Sequence, residues 1–77
     1  MRIHRLSHTE SGRCFSTRYF ARDDQALAEA EGLVRIVEHL HTPLKLGKNE
    51  VDGMVIWSDR WPGPTVEIRL EEGRLEL

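Results

Sequence analysis

The side chains able to do chemistry in this 77-residue chain are four histidines, one cysteine, two adjacent pairs of acids and an arginine-rich front. His4, His8, His39 and His41 invite a metal reading. On a strand, however, His4 and His8 stand about 13 Å apart along the chain, too far to share one ion. His39 and His41 are two apart near a helix end and point to different sides. No acid is placed to help them, so they read as solvated or core-edge histidines. Cys14 is the single cysteine, which excludes an internal disulfide and a CxxC metal knuckle. It could face His8 across a hairpin, but nucleophilic catalysis also needs an orienting third group and a pocket that excludes water. Asp23-Asp24 reads as a helix-capping pair and Glu71-Glu72 as part of a turn. The glycines are scattered turn residues and build no phosphate cradle. The expectation is a non-catalytic protein with no metal and no cofactor.

Binding chemistry is easier to read. Residues 1–22 carry five arginines against Glu10 alone, a charge of +4, while residues 23–77 carry −6. A basic two-stranded ribbon can enter the DNA major groove or hold phosphates. Arg2, Arg5, Arg13 and Arg18 are therefore the candidate nucleic-acid-binding residues, with Tyr19 or Phe20 available to stack on bases. Against this stand an overall pI near 6.1 and an acidic helix. The second candidate is Trp61 in Trp-Pro-Gly-Pro, since tryptophan anchors many interfaces and proline lowers the entropy cost of presenting it. The competing expectation is that the indole folds back over the sheet edge onto Trp57.

The elements that must position these groups follow from periodicity. Residues 2–7 and 13–21 read as two strands, joined by a three-residue loop over Glu10-Ser11-Gly12 with Gly12 left-handed. That register sets Ile3 opposite Tyr19, Arg5 opposite Thr17 and Ser7 opposite Phe15, and His8 opposite Cys14. Residues 23–41 form one amphipathic helix, capped by Asp23 and ended by Thr42-Pro43. Its apolar stripe, about 140° wide, holds Ala26, Leu27, Ala30, Leu33, Val34, Val37, Leu40 and His41. Ile36 falls off the stripe, an apolar group left for a partner. In residues 43–53, Gly47-Lys48-Asn49 and Asp52-Gly53 are turn signals. Leu44 and Leu46 either form a short edge strand or tuck under the helix end. Residues 54–58 and 65–71 read as strands, the latter with Val66, Ile68 and Leu70 inward. A turn at Glu71-Glu72-Gly73 leads to a last strand over 74–77. The class is α+β, one domain over residues 1–77. A single helix packs on one face of an antiparallel sheet in the order β-β-α-β-β, with an optional further strand.

The run Phe20-Ala-Arg-Asp-Asp-Gln-Ala-Leu-Ala-Glu-Ala-Glu-Gly-Leu-Val34 resembles short uncharacterised bacterial proteins. In these a hairpin leads into an Asp-capped, Ala-rich helix and then a Trp-bearing strand. It also resembles the first half of HicB-type antitoxins. The Pro-Gly-Cys-type segment of the antitoxin hairpin is missing here, so no toxin partner and no functional residue carries over.

A domain this small buries only about 60% of its unfolded surface, so a second copy is the remaining route to a larger core. No run approaches signal-peptide or membrane-span length, and a lone cysteine suits a reducing compartment. The expectation is a cytoplasmic binding protein that self-associates as a homodimer. Phe20, Ile36 and Trp61 are the candidate partner-binding residues, and nucleic-acid binding by the basic hairpin is the alternative.

Overall fold

A computed structural model describes residues 2–74. Six elements follow in order: β1 (Arg2–Glu10), β2 (Arg13–Phe20), α1 (Asp23–Leu40), β3 (Gly47–Val51), β4 (Met54–Ser58) and β5 (Val66–Arg74). The strands pair as one antiparallel sheet, β2-β1-β5-β4-β3, with α1 across one face. This is the α+β class expected from the periodicities.

Two strands differ from expectation. Glu71-Glu72-Gly73 does not turn. It continues β5, with Glu71, Glu72 and Gly73 opposite Arg5, His4 and Ile3 of β1. A turn there would have left the first residues of β1 without backbone partners, and long antiparallel pairing satisfies them instead. Residues 75–77 of the expected last strand lie outside the described residues. The fifth strand is β3, formed by the stretch whose Gly47-Lys48-Asn49 reads as a turn. Pairing to β4 overrides the weak local propensity of glycine and asparagine.

The β1–β2 and β3–β4 hairpins close on two-residue turns. Ser11 and Gly12 have φ of 51° and 78°, Asp52 and Gly53 51° and 79°. Two successive left-handed residues match the twist of paired strands, a geometry that Asp52-Gly53 and Gly12 suit and that Ser11 adopts in place of the usual Asn or Asp. The first turn is one residue tighter than the expected loop, so Glu10 pairs with Arg13. The same turn sets Thr9 opposite Cys14, and a β-bulge at His8/Thr9 then shifts the register further, placing His8 opposite Ser16, Ser7 opposite Thr17 and Arg5 opposite Tyr19. Cys14 is exposed and faces Thr17, its Sγ 3.4 Å from Oγ1, and does not meet His8.

The core lies between α1 and the sheet face bearing Leu6, Phe20, Trp57, Val66, Ile68 and Leu70. Ala26, Ala30, Val34 and Val37 meet it, spaced so that one line of the helix touches. The small alanines let the helix axis approach closely. The buried line is narrower than the expected stripe: Leu27 and Leu40 are exposed, because a single helix meets a twisted sheet along a line. Leu44 and Leu46 tuck against the core, the second of the two expected alternatives.

Asp23 is the first helical residue and not its cap. Arg22 holds the cap position without a side-chain hydrogen bond, and Asp23 Oδ1 lies 2.5 Å from His4 Nε2. At the other end, Thr42 Oγ1 donates to the carbonyls of Glu38 and His39 at 3.2 and 2.9 Å. These bonds satisfy acceptors that the last turn leaves open.

Candidate binding surfaces

The arginines are dispersed by the fold. Antiparallel alternation turns Arg2 and Arg18 toward the helix side and Arg5 to the opposite face. Arg2 Nε pairs with Glu72 at 2.9 Å and Arg18 Nη1 with Glu29 at 3.2 Å, while the Arg18 guanidinium also lies 5.0 Å from the Phe20 ring centroid. Arg5 Nε donates to Glu71 at 2.8 Å, and its Nη2 contacts the same oxygen. The hydrogen bond to Glu71, reinforced by its charge, pushes the Arg5 pKa up. Arg13 lies 5.7 Å from the Phe15 ring centroid. The four candidates therefore occupy two faces of the sheet, and three of them neutralise acids from β5 or α1. The +4 front and the −6 remainder of the chain meet inside one fold.

Phe20, expected as an exposed partner contact, is 7% exposed and belongs to the core. The register places it opposite His4 on the helix-covered face. Ile36 is 57% exposed, off the packed line as expected. The structure adds Leu40, 72% exposed and one turn along, with half-buried Leu33 beside them. Positions 33, 36 and 40 lie on one flank of the helix, which gives α1 a second, outward apolar strip.

Trp61 is 46% exposed, whereas Trp57 is buried in the core, with Lys48 Nζ 6.0 Å from the Trp57 ring. The loop presenting Trp61 is held by its own side chains. Asp59 Oδ1 accepts from the backbone N–H of Thr65 at 2.9 Å and of Val66 at 3.0 Å. Arg60 Nε donates to the Gly63 carbonyl at 2.8 Å. Desolvation pushes the Asp59 carboxyl pKa up, but the backbone bonds from Val66 and Thr65 outweigh it and leave the pKa below its usual value. At the helix start, the hydrogen bond from Arg22 does the same for Asp24.

His4, His8 and His41 each lie beside an acid, and for His4 and His41 that acid is distant in sequence. Glu10 stands between two of them: its Oε2 is 2.8 Å from His8 Nε2 and its Oε1 is 3.3 Å from His41 Nε2. The His8 contact is close in distance but misaligned for a hydrogen bond, leaving that nitrogen buried and unpartnered. Phe15, exposed by the bulge, stacks on the His8 ring at 5.5 Å. Period-2 spacing of His8 and Glu10 on one strand was the available signal for half of this cluster. His41 arrives only through the helix. Among the described residues no group of three or more His, Cys, Asp or Glu side chains is arranged to hold a metal ion.

Two grooves flank the paired ends of β1 and β5. One, of about 290 Å³, is lined by Ile3, Arg5, Tyr19, Glu71, Glu72 and Gly73 on the face away from the helix. The other, of about 230 Å³, lies on the helix side and includes His4, Asp23, Leu27 and Glu72. The charged groups facing both are already joined in the pairs above. Among the described residues no helix is long and apolar enough to cross a membrane. No family model, curated protein or solved structure matches the chain.

Proposed function

We propose that the protein acts by binding, without chemistry of its own, and that it works as a homodimer. The contrast between polar and apolar surface supports the binding reading, and the small core of a domain this size supports the homodimer. The ionisable side chains of the candidate sites are largely joined to one another, whereas Ile36 and Leu40 stand open on the helix. Adjacent large apolar groups left in water are the usual mark of an interaction surface. In a homodimer this strip would be displayed twice, which multiplies the strength of contact with any repeated apolar partner. Sedimentation velocity across the micromolar range tests the dimer: the expected species has twice the 8.9 kDa of one chain. A single 8.9 kDa species at all concentrations up to hundreds of micromolar would sink it.

A further inference from the structure

The sheet ends on two open strands, and they differ in whether a second copy could add to them. At one edge, β2 carries Arg13 and Arg18 and no acid of its own, and it is interrupted by the bulge. Antiparallel self-pairing would bring like charges together across an irregular ladder, a pattern that discourages edge-to-edge association. The other edge, β3, has the opposite character. Lys45 and Lys48 lie toward its start, Glu50 and Asp52 toward its end, and all four are exposed.

The backbone of β3 is phased to use that pattern. A two-residue turn is closed by a hydrogen-bonded pair, here Val51 and Met54, and bonded pairs alternate from there. Val51 and Asn49 therefore point their N–H and C=O groups into β4, while Glu50 and Lys48 point theirs out of the sheet. Among the described residues β3 pairs only with β4. Further along, the Leu46 N–H is already taken by the Glu38 carboxylate at 2.8 Å, which bounds the free edge.

We infer that two copies of the chain join edge to edge through β3, antiparallel about a two-fold axis at Asn49. This rests on the homodimer reading above and locates its interface. Such pairing sets Lys48 opposite Glu50 of the second copy, twice by symmetry. Those are the residues whose outward backbone groups can exchange hydrogen bonds. Gly47 then faces Val51 at each end of the paired segment. The interface is isologous, as a two-fold requires, and produces one ten-stranded sheet. The interface uses β3 and leaves Ile36 and Leu40 of α1 free for a partner.

The test uses the intact chain and two charge reversals. Lys48→Glu and Glu50→Lys should each weaken dimerisation by about tenfold or more, since each replaces two attractive cross-strand pairs with two repulsive ones. The double variant Lys48→Glu/Glu50→Lys should restore it, and mixing the two single variants should give a heterodimer. Amide exchange supplies a second readout. The Lys48 and Glu50 amides should slow as concentration rises, while Asn49 and Val51 are protected at all concentrations. If the wild type dimerises but neither reversal weakens it, or those two amides stay fast, the β3 interface is wrong and the dimer reading survives. If the wild type is monomeric throughout, both fail.

Discussion

Replacing Asp59 with alanine removes the acceptor that closes the Trp61 loop. Two backbone N–H groups lose their partner: Thr65, which is exposed, and Val66, which is buried. Hydrogen bonds to a charged acceptor contribute about 1.5–3 kcal/mol each where water cannot compete. Water can replace much of the bond at Thr65 and little of that at Val66, so the loss should total about 2–3 kcal/mol. In a domain of this size that lowers the melting temperature by roughly 10–20 °C. Asp59→Asn keeps an oxygen acceptor without its charge and should cost about 1 kcal/mol. The lowered carboxyl pKa adds a pH signature. A carboxylate depressed in the folded state contributes stability above its unfolded pKa of about 3.9 and loses it as pH falls through the folded value. The gap between wild type and Asp59→Ala should thus be constant from neutral pH to about 4 and shrink below it. Urea unfolding followed by tryptophan fluorescence measures the gap, and Trp61 emission reports the loop. A neutral-pH difference under about 0.5 kcal/mol would refute the latch.

Further expectations are simpler. Phe20→Ala should cost about 3 kcal/mol, the low end for a buried phenylalanine because Phe20 lies on an edge strand, whereas Ile36→Ala should stay within about 0.5 kcal/mol. Chemical denaturation of both variants checks that contrast, and similar losses would mean that the two positions have been misassigned. Gly53→Ala should destabilise by about 1 kcal/mol, because the left-handed φ of 79° strains any Cβ even though the surrounding space is open. Its thermal midpoint should fall by several degrees, and an unchanged midpoint would argue against the two-residue turn.

Much of the architecture was legible without coordinates because it is written in local patterns. The 100° periodicity of residues 23–41 states a helix, and the alternation of Val66, Ile68 and Leu70 states a strand with one buried face. Gly12 and Asp52-Gly53 mark turns through their tolerance of positive φ, although the left-handed Ser11 and the tighter first turn were not legible. The exposure of Ile36 was also local, an apolar residue out of phase with its helix. Tertiary pairing decided what these patterns leave open. Glu71-Glu72-Gly73 has the composition of a turn, yet nine residues of β1 lie alongside to pair with β5, and backbone hydrogen bonding outweighs propensity. Gly47-Lys48-Asn49 became a strand for the same reason. The bulge in β2 depends on how two strands settle against each other, so it exchanged Cys14 for Phe15 beside His8 without any mark in the sequence. The pairing of arginines with acids from distant elements was equally invisible, since charge composition says nothing of which charges meet. By itself, the sequence determined the helix, the sheet and the sign of each edge residue. Only the fold decided which residues form an edge, because that depends on which strands find partners.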